Sequence, residues 1–162
     1  MSDTSQQPFR SSLMSIRPEW IDYNGHLNLA YYHVLFDQGV DELFEAIGLG
    51  PVYARERRLT SYTAESHVCY VRELKPESQA FSTARIVGFD QKRLHLFQEL
   101  RHSDGWLAAT LESLSLSIDM SGPRVMPWPQ DIAAAIAALA ESHARLPRPD
   151  RLGRSIAISG TA

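Results

Sequence analysis

The sequence predicts an α+β domain: a five-stranded antiparallel sheet wrapped around one long helix, with a second helix near the C-terminus. Three observations predict it. Residues 29–47 carry apolar side chains at spacings of three and four, the repeat of a helix with one buried face. Residues 60–120 hold four long strand-like stretches separated by hairpin-type turns. A short, weakly alternating segment precedes the helix, at 11–17. A sheet and a lone amphipathic helix each have an apolar side to cover, and each can cover the other.

Residues 1–10 form an expected flexible N-terminus, with MSDTSQQPF at 1–9 polar and frayed. SSLMSIR, 11–17, can form the first strand, and Pro18 limits its ladder. Asn24-Gly25 marks a turn, because both residues tolerate positive φ. Asn28 is placed to cap the helix that Leu29, Tyr32, Leu35, Phe36, Val40, Leu43, Phe44 and Ile47 define, and Gly48 to end it. Gly39 inside that helix costs about 1 kcal/mol against alanine, which points to close approach by another backbone. Residues 51–58 read as a short second helical turn.

The period then changes. TSYTAESHVCYVREL at 60–74 is rich in β-branched and aromatic residues, and Lys75-Pro76-Glu77-Ser78 is a turn. Strands follow at 79–89, 92–102 and 106–120, joined by Asp90-Gln91 and Ser103-Asp104-Gly105. In the middle one, Leu94, Leu96 and Leu100 alternate with His95, Phe97, Glu99 and Arg101, so one face meets a core and the other is mixed. Pro123, Pro127 and Pro129 mark a loop before a helix at 131–144, whose alanine-rich stripe predicts light packing on the outside. The tail at 146–162, with Arg148, Arg151 and Arg154, is expected to be extended. The domain proper is thus placed at 11–122, with 123–162 packed on it as helix and tail.

At 162 residues the chain fits one domain able to bury its own core. Its net charge of -3 argues against nucleic acid as a main partner. The single cysteine, Cys69, excludes an intrachain disulfide and reads as a buried, reduced thiol, with a nucleophile as the lesser alternative. No apolar run reaches the length of a membrane span and the N-terminus has no apolar signal core, so a cytoplasmic protein without membrane contact is expected. The histidines are too scattered to suggest a metal site.

The most unusual stretch is EWIDYNGHLNLAYYHVLFD, 19–37, which crowds an acid, an Asn-Gly pair, a histidine and aromatics at the mouth of a helix that must be buried. Taken with the four strands that follow, residues 12–122 resemble the hotdog-fold acyl-CoA thioesterases of the 4-hydroxybenzoyl-CoA thioesterase type. In that family a catalytic aspartate precedes the helix and a second follows some four turns later; Asp22 and Asp37 have that spacing. EWIDYNGH at 19–26, YTAESHV at 62–68 and KRLHLFQEL at 92–100 further resemble the betainyl-CoA thioesterases of bacterial carnitine degradation. That domain also occurs fused behind carnitine 3-dehydrogenase; this chain shows no Rossmann fingerprint, so the stand-alone form is expected.

The resemblance implies hydrolysis of a short acyl-CoA, betainyl-CoA first, to the acid plus CoA. It implies no metal or redox cofactor, coenzyme A entering only as part of the substrate. The other readings left open are a thioesterase for aromatic or medium-chain acyl-CoA, a hotdog module that binds acyl-CoA without turnover, and a hotdog dehydratase, whose histidine-bearing helix signature is not evident. A thioester carbonyl needs a nucleophile and a grip on the developing oxyanion. Helix N-terminal amides, here from Asn28 through Leu29 to Ala30, can supply that grip. Asp22, six residues before Asn28, can attack the carbonyl or activate water; it can equally serve as an Asx-turn acceptor for Asn24 or Gly25. His26 can orient Asp22 or donate to the thioester, or simply bond the turn backbone, and Asn28 can cap the helix and so fix its amides.

Glu65 and His67 share one strand face with Cys69, opposite Ala64, Ser66, Val68 and Tyr70, and are expected to work as a pair, or as a solvated face. Trp20, Tyr23, Tyr31, Tyr32 and Tyr62 offer aromatic faces to a quaternary ammonium, with ordinary packing as the other reading of Trp20 and Tyr32. Lys92 and Arg93 are the first candidates for the CoA phosphates and the tail arginines the second. Self-association as a dimer or tetramer is expected, since a small sheet must cover its edges. The family's site lies between subunits, so Asp22 and the CoA-binding groups can come from different chains.

Overall fold

The computed structural model describes residues 7–158. Two short strands, β1 (Phe9–Arg10) and β2 (Met14–Ser15), lead into the long helix α1 (Leu29–Ala46) and the short α2 (Pro51–Arg57). Strands β3 (Leu59–Tyr70), β4 (Gln79–Phe89), β5 (Arg93–His102) and β6 (Leu107–Asp119) follow, then β7 (Arg124–Val125) and α3 (Gln130–His143). All form one antiparallel sheet in the order β1-β4-β5-β6-β3, with β2 also on β4 and β7 on β6. The sheet curls around α1, which is the expected architecture.

The expected strand at 11–17 is instead split in two. The Ser11 amide donates to the Ser82 carbonyl and the Ser82 amide to Ser11 Oγ, so a serine side chain substitutes for one rung of the ladder. Phe9 and Arg10, expected at a frayed end, pair with Ala84 and Thr83.

Helix α1 is held at its middle. A Cβ added to Gly39 would run into Ser82 Cβ and stand 2.9 Å from its Oγ, so the glycine permits contact with β4. Gln98, buried on β5, donates to the Phe36 carbonyl at 2.9 Å and to Ser82 Oγ at 3.2 Å. The core divides along the helix. Around its first half lie Trp20, Leu27, Tyr32, Leu35, Phe36 and Leu100; around its second, Leu43, Tyr53, Ile86, Leu96, Trp128 and Ile136.

Light packing of the alanine-rich helix is overturned. Ile132 and Ile136 of α3 are fully enclosed in the second core. At its end His143 is buried and its Nδ1 accepts the Ile86 amide at 3.0 Å. Two isoleucines one turn apart anchor what the alanine count made look weak.

The tail is not simply extended. It turns at 151–153, with Gly153 at φ 74, and crosses the sheet face opposite α1. Arg85 Nη1 donates to the Pro147 carbonyl at 2.6 Å, and the Gly153 amide donates to Glu112 Oε2 at 2.7 Å. Phe97 points to this outer face yet is only 3% exposed. No helix among the described residues is long and apolar enough to cross a membrane.

Candidate active site

The chain enters α1 through a closed turn. Ile21 and Leu27 bridge, the Asp22 amide donates to the His26 carbonyl at 3.1 Å, and the Gly25 amide to the Asp22 carbonyl at 3.0 Å. Gly25 takes φ 78, which the Asn-Gly pair anticipates. Inside this turn the Asp22 carboxylate is gripped at both oxygens. Oδ1 accepts the Asn24 amide at 2.8 Å and Oδ2 accepts Asn28 Nδ2 at 3.4 Å. The Asx turn and the approach to the helix mouth, alternatives in the sequence, coexist.

Asn28 is the cap, its Oδ1 accepting the Ala30 amide at 3.0 Å. Of the amides expected to bind an oxyanion, that of Asn28 donates to the Trp20 carbonyl, and that of Ala30 is held by the cap. The Tyr31 amide donates to the Asn28 carbonyl. Among the described residues only the Leu29 amide of this set has no acceptor. The first turn of α1 carries no acid, and the Asp22 carboxylate bonded to the cap sets a negative charge beside its positive pole.

His26 sits beside this group rather than on it. Its Nδ1 lies 3.3 Å from the Leu27 carbonyl and its Nε2 3.7 Å from Glu73, which also pairs with Lys75 at 2.6 Å. The Lys75 ammonium holds the Glu73 carboxyl below its usual range. Tyr70, on the strand face the sequence left aside, donates its hydroxyl to the Leu29 carbonyl at 3.3 Å, while burial raises its pKa. Tyr32 accepts the Leu74 amide at 3.1 Å and meets Tyr70 edge-on. Strand alternation separates Tyr70 from Glu65, but no signal in the sequence says which face looks at the helix. Glu73 had no signal at all.

Several expected partners lie elsewhere. Val68 and Leu111 pair on the helix side of the sheet, so Glu65 and His67, with their partners Leu114 and Glu112, face outward, away from Asp22. They line an outer groove of about 590 Å³ with His95, whose Nε2 is 2.8 Å from Glu112. Tyr62 is also turned outward, because a bulge at Ala64 shifts the alternation. Lys92 and Arg93 sit at the opposite end of the sheet from Leu74 and Leu100, which flank the helix mouth. Arg93 is already paired with Asp90 at 2.6 Å, holding that carboxyl down at about 2. Trp20 is buried, stacked on Tyr31 at 5.2 Å, with the Arg17 guanidinium 5.0 Å over its ring. Its packing reading prevails over the open-platform one. Tyr23, 97% exposed beside Asp22, keeps its ring open. Asp37 lies two turns inside α1, on a groove of about 320 Å³ between α1 and β3 that Val34, Val40, Ser66 and Ser113 also line.

The chain as a whole is similar to known proteins. The family model described as the thioesterase-like superfamily matches residues 16–136. A betainyl-CoA thioesterase of Pseudomonas aeruginosa is 34% identical over 144 residues, 88% of this chain and 91% of that protein. An L-carnitine dehydrogenase/betainyl-CoA thioesterase of Rhizobium meliloti is 31% identical over 92% of this chain, which spans 30% of that longer protein. Among solved structures, a Staphylococcus aureus protein in complex with CoA superposes with a TM-score of 0.87 at 31% identity, covering 94% of this chain and 96% of that one.

Proposed function

The chain belongs to the thioesterase-like superfamily, and on that premise we propose that it hydrolyses the thioester of a short acyl-CoA, betainyl-CoA first, releasing the acid and CoA. One observation carries the mechanism: the Asp22 carboxylate is tied to the cap of the helix whose Leu29 amide is unoccupied. A carbonyl oxygen at that amide would develop its negative charge at the positive pole of α1, a contribution typically worth about 2.7–4 kcal/mol per donor. Asp22 then attacks the carbonyl carbon, giving an anhydride that water opens, or draws a proton from an attacking water. By either route a C–O bond replaces the C–S bond, and CoA leaves as a thiolate that takes up a proton.

The choice of betainyl group is supported by the relatives and by Tyr23, the open aromatic ring beside Asp22. Only water is consumed, so no cofactor enters beyond the CoA of the substrate. We extend the same reading to a cytoplasmic protein acting as a dimer or tetramer. Strand β3 pairs only with β6 among the described residues, leaving a long edge that a second copy would cover.

The test is release of free thiol, followed with a thiol dye over a panel of acyl-CoAs. Betainyl-CoA should be cleaved fastest, and Asp22→Asn should lose most of the rate. A variant as fast as the parent overturns the mechanism. Equal kcat/KM for betainyl-CoA and the neutral isostere, with carbon in place of the quaternary nitrogen, removes the cationic acyl group from the proposal.

A further inference from the structure

We propose that the outer-face groove bounded by Arg101, Arg151 and Arg154 holds the phosphate-bearing end of the substrate, the 3′-phospho-ADP portion of coenzyme A. The inference rests on the acyl-CoA reading and assigns its nucleotide end. The groove, of about 410 Å³, lies where the tail crosses β5 and β6, with Thr110 on its floor and Glu99 and Asp150 also on its wall.

Its three cations differ in how they are held. Arg101 is oriented by Glu99, Nε at 2.9 Å and Nη2 at 2.7 Å, and by the Gly105 carbonyl at 2.8 Å. Neither Arg151 nor Arg154 meets a carboxylate within 4.0 Å among the described residues, so both can exchange water for phosphate without breaking an ion pair. The segment carrying them is not loose. The Arg154 amide donates to the Arg151 carbonyl, and Gly153 between them is tied to Glu112. Guanidinium forks match phosphate oxygens in pairs, which favours arginine over lysine here.

Position along the sheet agrees. Arg101 pairs with Leu107 at the end of the sheet where Leu100, Ala108 and Ala109 pack around the first turns of α1, the end that carries Asp22. Within one chain, Lys92 and Arg93 lie at the other end, and Arg93 is engaged by Asp90.

Kinetics with the best acyl-CoA and with the same acyl group on pantetheine, which lacks the nucleotide, tests this. The double variant R151A/R154A should raise KM for the CoA ester about tenfold, the loss of one good charged contact, and R151K/R154K should recover part of it. The penalty should vanish with the pantetheine ester. An equal penalty on both esters, or a KM that responds to Lys92→Ala and not to R151A/R154A, overturns the assignment. Calorimetric titration with CoA itself separates this from failure of the hydrolase reading. If CoA binds the parent and R151A/R154A about tenfold more weakly, the groove stands even without turnover; equal affinity sinks it.

Discussion

The two ends of α1 have opposite characters. At the N-terminal end the helix opens onto polar groups: the doubly held Asp22, the Asn28 cap, the unoccupied Leu29 amide and the Tyr70 hydroxyl. At the C-terminal end Leu43 is enclosed with Tyr53, Trp128, Ile132 and Ile136, and the side chains are almost all apolar. The last turn of α1 carries no basic residue, just as the first carries no acid. The difference teaches a division of labour on one helix. Reactivity is placed where its amides emerge, and stability where two further helices close over it.

Asp22→Asn should break the comparison most visibly. Thiol release should fall about a hundredfold or more, the usual scale for a lost acid or base, with the melting temperature nearly unchanged. A large drop in melting temperature would instead assign Asp22 to the turn alone. Ile136→Ala should do the reverse. It empties a fully enclosed site and should cost about 2–5 kcal/mol in urea unfolding, with kcat/KM at low temperature unaffected. Gly39→Ala, between the two ends, should cost about 1–3 kcal/mol by overpacking against Ser82, read from the same titration. Asn28→Ala should cost about 1 kcal/mol of stability as a lost cap and also slow thiol release, because the same amide group holds Asp22.

The smallest effect is a pH dependence confined to the closed end. His143 accepts the Ile86 amide, so it is neutral when folded; burial first, then the Arg85 charge, lowers its pKa below 6.5. The unfolded imidazole binds a proton more readily. This contribution to stability is therefore present above about pH 6.5 and is lost as the pH falls through that value, by at most about 1.4 kcal/mol per pH unit. Urea titrations between pH 7.5 and 5.5 should show the decline, and His143→Gln should flatten it.

Most of the frame was legible because its signals are local. The repeat of threes and fours bounded α1, and the bounds of β4 follow from its turns at 75–78 and 90–91. Alternation on β5 put Leu94, Leu96 and Leu100 inside. In the site, Asp22 and Asn28 could be read because a turn, a cap and a helix are neighbours in sequence. Glu65 and His67 could not be placed, since alternation pairs residues on a face without saying which face meets the helix. The direction of Tyr62 is hidden in the sequence because a single extra residue, Ala64, inverts the alternation before it. The pairing of Arg93 is hidden in the sequence, because a turn position does not show that the Asp90 carboxylate reaches back to it. The crossing of the outer face by the tail is a long-range event, decided by Phe97 and Glu112 some forty to fifty positions earlier.

The seat of Gly39 on Ser82, with Gln98 gripping the Phe36 carbonyl, fixes both the rotation of the helix and its travel along its own axis. At 1.5 Å per residue the Leu29 amide stands roughly 15 Å from that seat, at the tip of a stiff rod. The alignment of carboxylate and amide is thus inherited from a fulcrum in the middle of the molecule. A change there can detune the tip by fractions of an ångström while leaving every group at the tip chemically intact.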